Sequence, residues 1–291
     1  MNFLQYLING ISLGSVYAII ALGYTMVYGI AKMLNFAHGD VIMIGAYIIF
    51  TIISTMGYPP IVGVIVAVAL CTVLGITIER IAYKPLRDAS SLAVLITAIG
   101  VSYFLQNMAL IVFGADTKSF NSIVKFGPFH LGGLVISGET LVTIISCIII
   151  MIVLTTFINK TKAGQAMLAV SEDKGAAVLM GIHVNRTIAL TFAIGSGLAA
   201  IAGALLCSAY PTLSPYTGSM PGIKAFTAAV FGGIGSIPGA FVGGILLGII
   251  EIFGKAYISS QLSDAIVFAV LIFVLIVKPS GILGKNRQEK V

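Results

Sequence analysis

The chain has 291 residues, of which 58% are hydrophobic and only 9% are charged. Soluble globular proteins carry about 25% charged residues, so this sequence has too few of them to coat a soluble core. Its formal net charge of +6 does not indicate nucleic-acid binding, because the basic residues stand in short segments beside long apolar runs, as in the loops of membrane proteins. The composition therefore predicts an all-α polytopic membrane protein.

Uncharged runs along the chain predict about eight transmembrane helices, since a bilayer-spanning helix needs roughly 20 mostly apolar residues. Prolines mark several ends, as at Pro59 and Pro60, because proline has no backbone N–H and restricts the residue before it. A β-barrel would instead show segments of about ten residues with alternating polarity. We expect residues 1–291 to form a single transmembrane domain. Its spans are predicted near 8–31, 41–57, 61–79, 91–113, 140–158, 188–210 and 261–277, with a broken pair within 221–254.

Polar residues at the first connection and in the fourth span are candidate functional groups. The segment 34–40 contains Asn35 and His38, and it is either a short turn that begins a helix or part of an inner vestibule or gate. Gln106 and Asn107 can hydrogen-bond to neighbouring helices, a contact that membrane helices use to associate. Asn35, His38 and Asn107 are therefore candidates for lining a translocation path.

The distribution of Lys and Arg predicts the orientation of the chain. Of the 16 basic residues, 12 fall in the segments 32–40, 80–90, 159–187 and 278–291, and loops rich in Lys and Arg stay in the cytoplasm. We therefore expect the N-terminus outside and the C-terminus in the cytoplasm. The remaining basic residues are expected on the outer face: Lys118, Lys125, Lys224 and Lys255.

The loop 159–187 is predicted to contain a short helix. Ser171 is expected to cap its start, because a serine side chain accepts a hydrogen bond from a free backbone N–H of the first turn. Glu172 and Asp173 then lie at the positive end of the helix dipole, and Gly181 suits a left-handed residue after the last turn.

One face of this short helix is nearly bare of side chains, because it carries Gly175, Ala176 and Ala177. About nine residues are too few for a stable isolated helix, so the helix must pack on something. Two hypotheses remain open: it packs on its own transmembrane body, or it lies in a groove of a cytosolic partner.

The region 221–254 must be interrupted, because one unbroken helix would leave the C-terminal tail on the wrong side of the membrane. The sequence predicts a descending arm over 221–234 and a rising arm over 239–254, as two short spans or a re-entrant hairpin. Non-helical backbone at this depth is tolerated only against protein or a water-filled cavity. The residues that break the helix are also candidates for the translocation path: Gly232, Gly233, Gly235 and Pro238.

Glu251 lies late in the rising arm, and ionisable residues within spans are functional candidates. It is either an ordinary interfacial residue or a group in the substrate path or between helices. The sequence contains no nucleophile–base motif, no metal-ligand spacing and no Walker motif. We therefore expect no catalytic residue, metal or bound cofactor, and any nucleotide that drives transport must bind to another chain.

Several motifs resemble those of one transporter family. Residues 175–181 read Gly-Ala-Ala-x-x-x-Gly, which is similar to the Glu-Ala-Ala-x-x-x-Gly loop by which ABC importers dock on their ATPase, with glycine in place of glutamate. The segments 35–40, 79–87, 99–107 and 224–240 resemble the branched-chain amino-acid permeases. The resemblance extends over nearly the whole chain.

This resemblance implies the shorter of two permease subunits in a plasma (inner) membrane importer of leucine, isoleucine and valine that works by alternating access. The implied partners are a second permease, two cytosolic ATPase subunits that bind the ATP, an extracytoplasmic binding protein and membrane lipid, but no nucleic acid. Within the cytoplasmic coupling loop 159–187, it assigns ATPase coupling to Glu172, Asp173, Gly175, Ala176, Ala177 and Gly181.

Two other hypotheses stay open. Within the same family, the solute is urea, a short amide or another apolar amino acid. In a different class of protein, the chain is a self-sufficient channel or an ion-coupled carrier, although such carriers usually place several ionisable groups at the midplane and the sequence requires none there.

Overall fold

A computed structural model of the protein describes residues 2–87, 89–124, 126–131 and 134–284. In this part of the chain nearly all regular structure is helical. The predicted outer residue Lys125 and the predicted cytoplasmic residues Lys285, Arg287 and Lys290 lie outside the described residues. The helices are α1 (Asn2–Ala31), α2 (His38–Phe50), α3 (Pro60–Ile78), α4 (Ser91–Phe113), α5 (Gly138–Lys160), α6 (Lys162–Glu172), α7 (Lys174–Leu179), α8 (Val184–Ala209), α9 (Ser219–Gly232), α10 (Ile237–Tyr257) and α11 (Ser263–Val277).

Seven helices of the described residues are long and apolar enough to cross a membrane: α1, α2, α3, α4, α5, α8 and α10. Helix α11 is a shorter apolar helix of 15 residues. Helix α2 continues as a π-helical turn over Thr51–Thr55, and α3 continues through Glu79–Tyr83 and Lys84–Leu86. The predicted polytopic helical bundle is therefore confirmed.

Helix α1 is the centre of the bundle and is buried along most of its length. It packs on α5, α8, α9 and most extensively on α10. Small residues allow this close approach, because a Cβ at Gly14 would collide with the backbone of Ile245, and a Cβ at Gly248 would collide with Gly14. Membrane helices depend on such close contacts between backbones, since lipid offers no hydrophobic drive for association.

The predicted break between α9 and α10 is present at the expected residues. Gly233 (φ +108°) and Gly235 (φ +91°) adopt left-handed backbone conformations that glycine alone accepts readily. Ser236 then caps α10 by accepting a hydrogen bond from the Gly239 N–H at 3.2 Å. Helix α9 has 14 residues, which at 1.5 Å per residue is about 21 Å, shorter than a hydrocarbon core of about 30 Å.

Helix α9 begins inside the bundle, beside the start of α2. The backbones of Gly39 and Gly218 are in such close contact that a Cβ at either position would collide with the other residue. At its other end, α9 is joined by the segment after α11, where Ile282 and Leu283 donate backbone hydrogen bonds to Phe231 O and Gly232 O, both at 2.9 Å.

Short strands close the end of the bundle opposite the α9–α10 break. Strand β1 (Lys118–Ser119) pairs antiparallel with β4 (Thr212–Leu213), and β2 (Phe129–Leu131) pairs antiparallel with β3 (Leu134–Ile136).

Candidate coupling and translocation sites

The loop between α5 and α8 holds two helices where the sequence predicted one. Helix α6 runs through Ser171 and ends at Glu172, and α7 follows after Asp173. The prediction that Ser171 caps the short helix is wrong, because its hydroxyl lies inside α6 and donates to Leu168 O at 2.7 Å. The capping residue is Asp173.

The Asp173 carboxylate satisfies two N–H groups at the start of α7. Its Oδ1 accepts from the N–H of Gly175 at 2.7 Å and from that of Ala176 at 3.0 Å. The other end of α7 agrees with the sequence prediction, since Gly181 has φ +79° and takes the left-handed position after the helix. Asp173 and Gly181 thus define a short capped helix at the end of the loop.

The two faces of α7 have different surroundings. Ala177 is buried against the chain's own bundle, whereas Glu172, Gly175 and Ala176 are exposed. The next three side chains form an exposed apolar tip, which consists of Val178, Leu179 and Met180. Leu179 is 89% exposed and Met180 is 82% exposed.

The sequence predicted the small-residue face formed by glycine and alanine, but this apolar tip was not predicted. Three consecutive apolar residues within the most polar loop were the signal that could have revealed it.

Helix α6 fixes the loop to the bundle. Met167 and Val170 are buried, and a Cβ at Gly164 would collide with the backbone of Ile158 in α5. Helix α6 also packs on α1, α7 and α8. The apolar tip therefore projects from a loop that is firmly seated on three long helices.

Asn35 and His38 lie inside the bundle, where the chain enters α2. Asn35 is buried, and its Oδ1 accepts from the Tyr83 hydroxyl at 3.0 Å. The His38 ring packs edge-on against Tyr24, with 4.7 Å between ring centroids. Gly23 makes room for this ring, since a Cβ there would collide with the imidazole.

The fourth span directs Gln106 rather than Asn107 to the interior. Gln106 is buried, and its amide donates to Asp40 Oδ1 at 2.8 Å and approaches Ser219 Oγ at 3.3 Å. Asn107 is exposed on the outside of the helix, where its amide donates to Tyr103 O at 2.7 Å. The polar link from α4 to the starts of α2 and α9 therefore runs through Gln106, and Asn107 lies apart from the other candidates.

Glu251 is the centre of an ion cluster between helices. Only 1% of its surface is exposed. Its carboxylate accepts from Lys224 at 2.8 Å, from Lys255 at 2.6 Å and from the Tyr17 hydroxyl at 2.8 Å. Lys224 also forms an ion pair with Asp264 at 2.6 Å. These five residues join α1, α9, α10 and α11.

Lys224, which is expected on the outer face, is buried within the bundle and only 6% exposed. A buried ammonium requires a carboxylate partner, and α9 places Lys224 against α10 and α11, which supply two. Of the two hypotheses for Glu251, the geometry favours a role between helices. The i, i+4 spacing of Glu251 and Lys255 was the sequence signal for one of these pairs.

The residues of the helix break lie at the opposite end of α10 from the ion cluster. Gly235 and Pro238 line a cavity of about 640 Å³. Gly232 and Gly233 instead pack closely on Gly239 and on the backbone near Gly284. Apart from Asn107, the candidate residues therefore occupy three separate places: the start of α2, the ion cluster and the break.

Among the described residues, no group of three or more His, Cys, Asp or Glu side chains is arranged to hold a metal ion. The three cysteines are buried and unpaired.

The long apolar helices define a polytopic helical membrane protein, and its α6–α7 loop carries an exposed apolar tip beyond the bundle. A chain of PsaBC from Streptococcus pneumoniae, solved in complex with Fab, has a similar fold. The TM-score is 0.51 at 16% sequence identity, and the match covers 96% of this chain and 93% of that one. At this level of identity the likeness concerns the fold alone.

Residues 6–275 match the family described as branched-chain amino acid transport system / permease component. The chain belongs to this family. It is 46% identical to the high-affinity branched-chain amino acid transport system permease protein LivH of Escherichia coli K12, a match that covers all of this chain and 98% of that protein. It is 44% identical to BraD of Pseudomonas aeruginosa, with the same coverage. A probable LivH of Methanocaldococcus jannaschii is 29% identical over 93% of this chain and 89% of that protein.

Proposed function

We propose that this chain is the membrane-spanning permease subunit of an ATP-driven importer that carries leucine, isoleucine and valine across the plasma membrane. The relatives that align over its whole length are high-affinity branched-chain amino acid permeases, which supports this substrate class. The working transporter contains a second permease, two cytosolic ATPase subunits and an extracytoplasmic binding protein. The α6–α7 loop and the C-terminus lie in the cytoplasm, and the N-terminus lies outside.

The observation that carries the proposal is the exposed apolar tip at the end of a capped helix. Exposed contiguous apolar side chains indicate a docking surface, and this one stands beside the Gly-Ala-Ala-x-x-x-Gly pattern at 175–181. Leu179 and Met180 supply apolar area for a groove of the ATPase, while Gly175 and Ala176 allow its backbone to approach closely. Glu172 adds an exposed carboxylate to the same surface.

Asp173, Ala177 and Gly181 hold the tip in place. Asp173 and Gly181 cap the two ends of α7, and Ala177 seats the helix against the chain's own bundle. Because α6 is packed on α1, α5 and α8, a displacement of α7 by the ATPase is passed to the long helices. Alternating access requires such a coupled element that has different contacts in two states.

The translocation path lies along the interrupted helices. Asn35 and His38 mark the start of α2, and Gly232, Gly233, Gly235 and Pro238 mark the turn between α9 and α10. Glu251 does not contact the substrate in this proposal, because its carboxylate already has three partners. It instead holds the C-terminal part of α10 in place. Asn107 faces outward, towards lipid or the second permease.

Ala176→Glu tests the coupling. We expect this variant to lose ATP-driven leucine uptake in proteoliposomes that contain the complete transporter, while ATP hydrolysis continues, because a charged side chain spoils the small-residue face without reaching the bundle. Uptake by Ala176→Glu at the rate of the unmodified transporter would refute the assignment. Uptake by the purified chain alone, without ATP or partners, would favour a self-sufficient carrier instead.

A further inference from the structure

The 79–87 segment, which continues α3, contains two buried polar side chains. Glu79 is 1% exposed, and it forms an ion pair with Arg87 at the other end of the segment. Tyr83 lies between them and is fully buried. Residues Glu79–Tyr83 form a π-helical turn, a rare conformation that often occurs at functional sites. A buried carboxylate requires a charged partner, so the ion pair with Arg87 closes the segment into one compact unit.

Arg87 connects this segment to the end of the α6–α7 loop. Its guanidinium donates to the Glu79 carboxylate through one nitrogen and to the side-chain oxygen of Asn185 through another. Asn185 is the second residue of α8 and follows shortly after the left-handed Gly181. Arg87 therefore holds the 79–87 segment at the point where the α6–α7 loop enters α8.

Tyr83 connects the same segment to the start of α2. Its hydroxyl donates to Asn35 Oδ1 at 3.0 Å and approaches Leu34 O at 3.4 Å. Its ring packs on Phe192 of α8, with 5.1 Å between ring centroids. Helix α8 in turn lies so close to α3 that a Cβ at Gly75 would collide with Phe192 O. A shift of α8 is therefore passed through the Tyr83 side chain to the residues that lead into α2.

We propose that the 79–87 segment positions the start of α2 according to the state of the ATPase, with Arg87 and Tyr83 as the positioning residues. This inference rests on the proposed function, which places the ATPase against α7. A displacement of α7 moves the start of α8, Arg87 passes the movement to the segment, and the Tyr83 hydroxyl passes it to Asn35. Packed side chains and hydrogen bonds of this kind carry coupling between distant sites when they have two arrangements. Both residues act in this way without touching the substrate.

Removal of the Tyr83 hydroxyl tests the last step of this link. In proteoliposomes that contain the complete transporter, we expect Tyr83→Phe to lower leucine import per ATP hydrolysed about two- to tenfold, the factor for one hydrogen bond. The KM for leucine and copurification with the ATPase should stay unchanged. Tyr47→Phe is the matched control, because Tyr47 is also fully buried, while its hydroxyl makes no hydrogen bond within the part of the chain that the structure describes. Equal import per ATP by the two variants would overturn the inference.

Asn185 tests the first step of the link. Asn185→Ala removes the acceptor that α8 offers to Arg87 and leaves no buried charge unpaired, because Asn185 is exposed and Glu79 keeps its partner. We expect import per ATP to fall again, and Asn185→Asp, which keeps an oxygen acceptor, should restore most of it. Since both steps lie on one route, the double variant Tyr83→Phe/Asn185→Ala should lose no more than the more severe single variant. Losses that multiply in the double variant would show two independent effects and contradict the link.

A thiol at the start of α2 separates this inference from the proposed function. Leu34→Cys places it at a half-buried position beside Tyr83, and the unmodified chain serves as the blank because its native cysteines are buried. In the complete transporter we expect ATP to change the maleimide labelling rate of Leu34→Cys severalfold, and to have little effect once Tyr83→Phe is added. No response to ATP, or an equal response in both, would overturn the inference. A response that depends on Tyr83 in a transporter that moves no leucine would instead refute the proposed substrate and support the link.

Discussion

The ion cluster around Glu251 and the apolar tip of α7 place side chains in opposite surroundings. Glu251 is a charged group that is 1% exposed, and it has three partners within the chain. Leu179 is an apolar group that is 89% exposed. Charges usually lie at the surface and leucines inside, so each region reverses the general rule.

The two regions differ in whether their side chains find partners within the chain: Glu251 has three, whereas Leu179 is exposed. The ion cluster brings two ammonium groups and two carboxylates together, and the cluster therefore joins its helices without help from outside. The apolar tip gains nothing from its exposure within the chain, and the ATPase contact proposed above would remove its side chains from water. Substitutions in the ion cluster should therefore lower the stability of the fold, whereas substitutions in the apolar tip should lower the affinity for the ATPase.

The largest effect is expected from Glu251→Ala, which leaves Lys224 and Lys255 without the carboxylate that they share. Removing one partner of a buried ion pair costs about 3–5 kcal/mol, and we expect the thermal unfolding midpoint of the purified chain to fall accordingly. Asp264→Ala is the matched control. The Asp264 side chain is 43% exposed, so the control should lose much less stability. Equal unfolding midpoints for the two variants would show that Glu251 does not hold the cluster.

A second variant, Leu179→Asp, should break the apolar tip and leave the fold intact. We expect the unfolding midpoint to stay unchanged, because the side chain is 89% exposed, while the affinity for the ATPase subunit falls by about 2 kcal/mol or more if Leu179 is a hot spot of the interface. Copurification with the tagged ATPase measures the affinity. Met56→Asp alters an exposed apolar residue (61% exposed) outside the α6–α7 loop and should copurify normally. Normal copurification of Leu179→Asp would mean that the tip is not the docking surface.

The same comparison shows how much of the structure was accessible from the sequence. Long apolar runs predicted the helices, and the glycines around Gly235 predicted the break, because these are local properties of the chain. The ion cluster was missed because Lys224, Glu251 and Asp264 are brought together only when α9, α10 and α11 pack. The sequence also does not show which side of a helix faces the bundle. For this reason it could not distinguish the buried Gln106 from the exposed Asn107.

Asp173 provides the smallest and most local test, since the sequence pointed to Ser171 as the cap and the structure points to Asp173. Asp173→Ala removes the acceptor of two backbone N–H groups. Losing an N-cap costs about 0.5–2 kcal/mol, so the amides of α7 should exchange hydrogen faster while those of α6 and the long helices keep their rates. Asp173→Asn, which preserves an oxygen acceptor, should restore most of the protection.

Ser171→Ala distinguishes the two assignments of the cap. Its hydroxyl donates only within α6, so we expect no change in α7 exchange, and a strong increase would return the cap to Ser171. Because α7 carries the apolar tip, the loss of its cap should also weaken ATPase copurification, but by less than Leu179→Asp does. A frayed helix still presents Leu179 part of the time, whereas an aspartate at that position never offers the apolar contact.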